Sequence, residues 1–329
     1  MTEPHPNHHR RHLITTAPLL LGAALGACAW RPAAPQAGGR FVEWPAFESR
    51  FVQPRHVRVW LPPGYGADAE PHAVLYMHDG QNLFDPPGPM ARGAWEVDRH
   101  VVALRAAGAI RPTLVVAIWN TEDNRSREYG PQAPIESLPV AVRLQVPRPG
   151  TGGQTSPLSE AYLRFIVEEL KPQVDAAFRT RPGREDSIVM GSSMGGLISL
   201  YALARYPQVF GGAGCLSTHW VLTTNFAAFA DALSPGAAPD PRIEVMARSV
   251  REWLRVHLPP AGSHRLYFDH GTAGLDAAYP RHQREVDGLV AAKGYRRNLD
   301  WMTREFAGAT HDESAWRERL QVPLQFLLR

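Results

Sequence analysis

A Gly-x-Ser-x-Gly turn between an apolar strand and a helix is the feature that most constrains this chain. The segment from Ser187 to Leu200 reads SIVMGSSMGGLISL, and the turn spans Gly191 to Gly195. A serine aimed out of a strand end needs strained dihedral angles, and glycine neighbours leave room for such a turn. The pattern predicts a nucleophile elbow with Ser193 as the nucleophile. A Gly/Ser-rich loop is the simpler alternative, but both flanking elements are legible.

Apolar and amphipathic segments alternate through most of the chain after Phe41. The 329 residues, 44% of them hydrophobic, are enough for one large core. The alternation predicts an α/β fold whose mostly parallel central sheet carries helices on both faces. We expect a single domain over 41–329. Its strands are predicted at 55–61, 73–77, 113–118, 187–192, near 214, at 264–268 and 302–306, and its helices at 97–108, 160–178, after 195, at 281–293 and from 314.

The first forty residues have a different character. Arg10 and Arg11 precede an apolar run over 13–25 that leads to Cys28, which is the layout of a secretory signal and is too short to span a membrane. The end of the run resembles a bacterial lipobox, in which Cys28 becomes lipidated, and the paired arginines resemble a twin-arginine signal. The alternative is cleavage near Ala27 by an ordinary signal peptidase, which would release a soluble periplasmic protein. We expect an export signal over 1–28, a Pro/Ala/Gly-rich tether over 29–40 and a location in the periplasm or cell envelope, anchored to the membrane if Cys28 is lipidated.

Charge and cysteine content narrow the possible partners. The net charge of +3 is small and the arginines are scattered among acids, which does not favour nucleic-acid binding. The chain has two cysteines, so a lipidated Cys28 leaves Cys215 without a disulfide partner. Cys215 lies in an apolar strand and is interpreted as a small core residue rather than a reactive thiol.

A long stretch over about 121–159 shows no core periodicity and is rich in Pro, Gly and Gln. Loops of this length in a compact domain are usually functional or mobile. The stretch is interpreted either as a lid or pocket wall, or as a surface insertion.

Ser193 needs a base, and the base needs an acid that holds its tautomer. Proteins with this elbow order the triad as Ser, then Asp or Glu, then His. His311 is favoured because it lies between the last strand and the last helix, while His219 and His270, at strand ends, compete with it. The other downstream histidines are His257, His264 and His282, of which His264 in a strand and His282 in a helix are interpreted as structural or exposed.

Two aspartates follow the strand that ends near Phe268. Asp276 lies farther out on the loop and has the better reach, whereas Asp269 leaves directly from the strand end, where fixing the turn at Gly271 is its alternative role. Asp276 is the preferred acid and Asp269 the alternative.

The tetrahedral intermediate needs two amide donors, one after the nucleophile and one from an earlier strand-end loop. Met194 supplies the first, and Gln81 is the preferred second donor within 78–85. His78, Asp79 and Asp85 can alternatively be interpreted as metal ligands, but they lack a matched cluster elsewhere in the sequence. The metal interpretation is therefore not favoured.

These segments together resemble the putative esterase family of α/β-hydrolases, which includes esterase D, feruloyl and acetylxylan esterases and enterobactin-type siderophore esterases. The resemblance covers nearly the whole chain after the signal, and it implies no metal and no cofactor. It implies that Ser193 and His311 are nucleophile and base, with the acid a few residues beyond Gly271-Thr272, although many relatives place a carboxylate sooner, where this chain has Ala273-Gly274. The matching pieces are 78–85, Asn120-Thr121, 127–129, 162–172, 191–196, Tyr206-Pro207 with Phe210, Gly271-Thr272, and His311 with Trp316.

The sequence thus predicts a serine carboxylic ester hydrolase of the cell envelope that acts on a small-molecule ester through an acyl-enzyme. Two alternatives remain: acyl transfer to a sugar or lipid hydroxyl, as in the related mycolyltransferases, and a non-catalytic envelope binding protein. Aromatic residues are expected to line the substrate pocket, with core packing as their alternative role. They are Trp95, Trp119, Tyr129 and Trp220.

Overall fold

An eight-stranded sheet forms the centre of the computed structural model, which describes residues 38–66, 70–88, 91, 93–143, 156–222 and 240–329. The described residues belong to one compact unit. The strands are β1 (Arg40–Phe47), β2 (Arg55–Leu61), β3 (Ala73–His78), β4 (Thr113–Ile118), β5 (Ser187–Ser192), β6 (Gly212–Leu216), β7 (Arg265–Gly271) and β8 (Trp301–Phe306).

The sheet order is β1-β2-β4-β3-β5-β6-β7-β8. The pairs β1/β2 and β2/β4 are antiparallel, and every later pair is parallel. Strands β3, β4 and β5 are buried along their full length, which explains why their sequences are continuous apolar runs rather than alternating ones. The elbow therefore emerges from the middle of a parallel sheet, at the carboxyl edge where the strand-end loops meet.

Helices cover both faces of the sheet. Alternate residues of β3 belong to different cores: Val74 and Tyr76 face one, while Leu75 and Met77 face the other. The helices are α1 (Val97–Ala106), α2 (Arg125–Tyr129), α3 (Gln132–Glu136), α4 (Val140–Arg143), α5 (Ser159–Arg164), α6 (Lys171–Ala177), α7 (Met194–Arg205), α8 (Pro241–His257), α9 (Tyr279–Ala292), α10 (Glu313–Arg319) and α11 (Gln321–Leu328), and a π-helical turn over Phe165–Leu170 joins α5 to α6. The architecture confirms the predicted α/β-hydrolase fold.

The order of elements follows the sequence-based prediction, but strand β1, the short helices α2, α3 and α4, and helix α8 are additional. Strand β1 begins at Arg40, inside the segment predicted as tether, and pairs with β2. Helix α8, 17 residues long, was not predicted. The predicted export signal, the lipidation site at Cys28 and tether residues 29–37 lie outside the described residues.

The described first half of the long segment, 121–143, packs into the core instead of projecting from it. Tyr129, Ile135 and Leu138 are buried there, and Arg55 of β2 makes a buried bidentate ion pair with Glu128 of α2 at 2.6 and 2.9 Å. A surface insertion is therefore the wrong interpretation for 121–143. Residues 144–155 lie outside the described part.

Cys215 occupies the middle of β6, between Gly191 of β5 and Phe268 of β7. Its thiol is free and completely buried, and burial raises the thiol pKa well above its ordinary value. The interpretation of Cys215 as a core residue is confirmed. Within the described ranges, no helix has both the length and the apolar character needed to cross a membrane.

Candidate active site

Ser193 sits on a sharp turn between β5 and α7, with φ 57° and ψ −123°. A non-glycine residue rarely adopts such angles, and the surroundings here enforce them. The Ser193 amide donates to the Leu216 carbonyl at 2.9 Å, and the His219 amide donates to the Ser193 carbonyl at 3.1 Å. A Cβ atom on Gly191 would lie 2.8 Å from the carbonyl carbon of Gly195, so glycine is required where strand and helix cross. The predicted elbow geometry is present.

His311 and Asp276 form a close pair beside this turn. His311 Nδ1 lies 2.6 Å from Asp276 Oδ1, and the carboxylate is fully buried. Asp276 is carried by a 3-10 turn over Gly274–Ala278 that follows β7, and His311 lies between β8 and α10. Because Nδ1 contacts the carboxylate, Nε2 is the ring nitrogen that this contact leaves available. His311 and Ser193 line the same cleft.

Asp269, the alternative acid, lies deeper in the sheet and bonds to other groups. Its carboxylate accepts from Arg319 Nη2 and from the Tyr267 hydroxyl, both at 3.1 Å. Burial raises the pKa of Asp269, although the charge of Arg319 opposes the rise. The structure therefore brings Asp276, rather than Asp269, to His311.

The competing histidines have other partners. His219 Nδ1 lies 2.9 Å from the Tyr279 hydroxyl, and His270 Nδ1 lies 2.8 Å from the Gly271 carbonyl oxygen. Both residues are buried. The cleft that contains Ser193 is lined by His311 and by neither competitor.

The pKa of Asp276 is lower than its ordinary value. Burial alone would raise it, but the bond and charge of His311 and donation from Ser217 and from the Gly271 amide outweigh the cost of desolvation. Asp276 is thus ionised at neutral pH and able to stabilise a protonated imidazole.

The loop after β3 forms the opposite wall of the cleft. Gln81 lies in a 3-10 turn over Gly80–Asn82 and lines the cleft, and Asp79 before it adopts left-handed angles, φ 56° and ψ 48°. A Cβ atom on Gly80 would lie 2.5 Å from the Trp119 ring, so the backbone approaches its neighbours as closely as the sequence predicts. On the nucleophile side, Met194 opens α7, where the first amides of a helix have no intrahelical acceptor.

Asp79 anchors this loop, a role that the sequence analysis did not identify. Its carboxylate accepts from Arg125 Nε at 2.8 Å and Nη2 at 2.7 Å, and from Asn120 Nδ2 at 2.7 Å. Burial would raise the Asp79 pKa, but the charge and bonds of Arg125 and the bond from Asn120 hold it below its usual value. The only sequence signal was the matching pieces at 78–85 and Asn120, since Arg125 lies 46 positions away.

The cleft has a volume of about 870 Å³, and its aromatic walls differ from the expectation. Trp95 lines it as expected, and Trp119 borders a smaller cavity of about 240 Å³ that shares Gln81 and Asn120 with the cleft. Tyr129 and Trp220 do not line it: they are 0% and 1% exposed. The Tyr129 hydroxyl accepts from the Asp79 amide at 3.1 Å, and Trp220 Nε1 donates to Gln283 at 3.2 Å. Their expected role in a substrate pocket is wrong because their polar tips find partners inside the core.

The residues considered as metal ligands near the cleft face different partners. His78 Nδ1 lies 2.8 Å from the Tyr162 hydroxyl, while Asp79 is held by Arg125. Elsewhere in the described residues, Glu244, His282 and Glu285 have ligand atoms within 4.8 Å of one another, but two arginines pair with both glutamates. These ion pairs account for the cluster without an ion. The arginines are Arg251 and Arg281.

Fold and site together define an α/β-hydrolase with a nucleophile elbow and an aligned histidine–aspartate pair. The family model described as Putative esterase matches residues 49–327, so the chain belongs to that family. The resemblance noted in the sequence is thereby confirmed.

Similar proteins agree on the fold. A curated relative, the uncharacterized protein YbbA of Bacillus subtilis, is 27% identical over 185 residues, which are 56% of this chain and 65% of that protein. The enterobactin esterase of Shigella flexneri is similar in structure, with a TM-score of 0.56, 18% identity and coverage of 90% of this chain and 60% of that one. A structure described as a ferulic acid esterase gives a TM-score of 0.59 at 17% identity, covering 89% of this chain and 99% of that one. The chain spans less than two thirds of the length of the first two proteins.

Proposed function

We propose that this protein hydrolyses carboxylic esters through a covalent acyl-enzyme on Ser193, with His311 as general base and Asp276 as the triad acid. The observation that carries the proposal is the 2.6 Å contact between His311 Nδ1 and Asp276 Oδ1 beside a strained Ser193 on the same cleft. A buried carboxylate, an imidazole bonded to it and a serine on the same cleft are the parts that activate a hydroxyl at neutral pH.

The reaction proceeds in two halves. His311 takes the Ser193 proton as the hydroxyl oxygen attacks the ester carbonyl, and the proton then passes to the departing alcohol as the acyl-enzyme forms. Water enters, His311 takes its proton, and attack on the acyl carbon followed by return of the proton to Ser193 releases the carboxylic acid. Asp276 stays ionised and stabilises the imidazolium in both halves.

The backbone amides of Met194 and Gln81 stabilise the oxyanion in both tetrahedral intermediates. Met194 supplies an amide at the start of α7, and Gln81 supplies one from the loop anchored by Asp79. Donors fixed before the reaction need no reorganisation as charge develops, which makes such a pair a large contributor to rate.

The charges around the cleft favour an uncharged or cationic ester. Among the described residues that line it, Glu122 and Asp123 are exposed acids, whereas the guanidinium of Arg125 is already bonded to Asp79. These acids repel a multiply anionic ester, such as a ferric catecholate complex, at the entrance to the cleft. The similar proteins act, by their names, on enterobactin and ferulic acid esters. Of these classes, a feruloyl or acetyl-sugar ester suits the charges better.

Substitution of the nucleophile tests the proposal. Ser193→Ala should lower kcat for short p-nitrophenyl esters by about 10⁴-fold or more, because it removes the group that forms the acyl-enzyme. Ser199→Ala is the matched control: this buried serine of α7 donates to the Gly195 carbonyl at 2.7 Å and takes no part in the reaction. A Ser193→Ala protein as fast as the parent, or a parent that a fluorophosphonate probe does not label, contradicts the mechanism.

The proposed location is the cell envelope, with lipid attached to Cys28 and export by the twin-arginine route. Its support is the arrangement of Arg10-Arg11, the apolar run over 13–25 and Cys28. Incorporation of labelled palmitate into the full chain, lost in Cys28→Ala, tests the anchor. Label retained by Cys28→Ala contradicts it.

A further inference from the structure

A second serine, Ser217, touches the triad acid directly. It follows β6 with a left-handed backbone, φ 43°, and is completely buried. Its Oγ lies 2.6 Å from Asp276 Oδ2, 2.9 Å from Trp316 Nε1 and 2.8 Å from Arg319 Nη2. The hydroxyl therefore has three polar neighbours within hydrogen-bonding distance, and the carboxylate is one of them.

The chemistry of these neighbours fixes the direction of every bond. An indole N–H and a guanidinium N–H are donors only, so both must donate to the Ser217 oxygen. A serine hydroxyl has two lone pairs and one proton, and the two donors occupy the lone pairs. The proton is left for the only acceptor among the three, Asp276 Oδ2.

We propose that Ser217 is a positioning residue for Asp276: its hydroxyl proton is directed to Oδ2 by Trp316 and Arg319, so that Oδ1 is held toward His311. The inference rests on the proposed function, in which Asp276 is the triad acid. Oδ2 also accepts from the Gly271 amide at 2.6 Å. Two fixed donors on one oxygen prevent rotation of the carboxylate and leave the other oxygen for the imidazole.

The described charged groups around Asp276 leave its Oδ2 without a direct bond from a cation, so a neutral donor stabilises this oxygen. The titratable and charged groups that face it are His311, Arg319 from α10, Asp269 from β7 and Tyr279 from α9. Arg319 lies nearer to Asp269 than to Asp276, at 3.1 Å against 3.7 Å. One guanidinium thus serves two buried carboxylates, and Ser217 supplies Asp276 with a bond that Arg319 does not make.

Trp316 links this network to the base. Its ring meets the His311 ring edge to face at a centroid distance of 5.1 Å, while its Nε1 donates to Ser217. Trp316 thus contacts both the imidazole of His311 and the hydroxyl that bonds to Asp276.

The test is the pH profile of Ser217→Ala. A carboxylate that has lost one hydrogen-bond donor attracts the imidazolium more strongly and so favours the protonated base. The midpoint of the acidic limb of kcat/KM should therefore rise by about one pH unit. We expect kcat at its plateau to fall about tenfold, because a carboxylate free to rotate orients the imidazole less well, with KM nearly unchanged. Ser187→Ala is the matched control, since Ser187 is equally buried but donates to the Gly183 carbonyl at the far end of β5.

A second variant separates the hydroxyl from the strained backbone. Ser217→Gly removes the same donor but suits the left-handed conformation, so it should fold readily and show the same shift of the acidic limb. If both variants keep the parental midpoint, the positioning role is overturned and Ser217 merely packs. Failure of the proposed function is distinguishable, because it appears as activity retained in Ser193→Ala, whatever the Ser217 variants do.

Discussion

The two walls that flank Ser193 both combine buried aspartates with one arginine, but the number of aspartates differs. On the wall built from the β3 loop, one carboxylate, Asp79, meets one guanidinium, Arg125, in a bidentate pair. On the wall built from the β7 loop and α10, two buried carboxylates, Asp269 and Asp276, share Arg319. The ion pair of the first wall is balanced in charge, whereas the buried carboxylates of the second wall outnumber their guanidinium by one.

This difference matches what each wall does in the proposed reaction. The β3 wall only has to hold an amide still, and a balanced ion pair fixes a loop without adding a net field to the oxyanion site. The β7 wall has to favour a positive charge that exists only during turnover. The imidazolium of His311 supplies the second positive charge, so the two buried carboxylates are balanced only when His311 is protonated during turnover.

The largest expected effect separates the two aspartates of the β7 wall. Asp276→Asn should lower kcat about 10³- to 10⁴-fold, because an amide neither stabilises the imidazolium nor holds the required tautomer. Asp269→Asn, which can still accept from Arg319 through its amide oxygen, should cost about tenfold or less. Steady-state rates on an activated ester, with thermal melting to confirm that both variants fold, give the comparison. Equal losses in the two variants contradict the assignment of Asp276.

A smaller effect is expected on the β3 wall. Asp79→Asn replaces a charged bidentate partner of Arg125 and should lower kcat roughly 10- to 100-fold by loosening the loop that carries the Gln81 amide. The control is Asp123→Asn, because Asp123 is an exposed acid that lines the same cleft. Matching rates for the two variants indicate that the ion pair does not position the oxyanion donor.

The smallest expected effect is the pH dependence of stability contributed by His78, the last residue of β3. Burial lowers its pKa from 6.5 to about 3, and its Nε2 has no hydrogen-bond partner. The unfolded chain takes up this proton below pH 6.5 while the folded protein does not until about pH 3. Stability from this group is therefore complete above pH 6.5 and is lost as pH falls, by about 2 kcal/mol at pH 5.

Urea unfolding at pH 7.5 and pH 5 measures this contribution. His78→Gln should lose about 2 kcal/mol less stability between the two pH values than the parent does. The control, His257→Gln, changes an exposed histidine of α8 and should keep the parental dependence. A parental dependence in His78→Gln means that the folded protein protonates His78 as readily as the unfolded chain does.

The elements that sequence predicts well here are those whose signal is local. The apolar run of β5 and the glycines of the elbow lie within fourteen residues, and His311 is marked by its place between the last strand and the last helix. Helix α8 also had a local signal that the sequence analysis missed, because Met246, Val250 and Leu254 recur every four residues and are all buried.

The rest depends on contacts between distant parts of the chain. Asp269 lies within β7, and Asp276 lies in the 3-10 turn over Gly274–Ala278 that follows it. This turn places Asp276 beside His311, and its geometry is not visible in the sequence. An aromatic residue with a polar tip also has the same sequence signature whether it faces a cleft or the core. Tyr129 and Trp220 point inward because Asp79 and Gln283 supply their hydrogen-bond partners there.

The burial of Cys215 has a practical consequence for studying this protein. The thiol packs in the core on one face of the sheet, beside residues of α7, so a reagent can reach it only when this packing opens. In a Cys28→Ala chain, the rate at which a reagent modifies Cys215 therefore measures how often the core beneath the elbow opens. This rate reports opening of the core near the site without the need for a substrate.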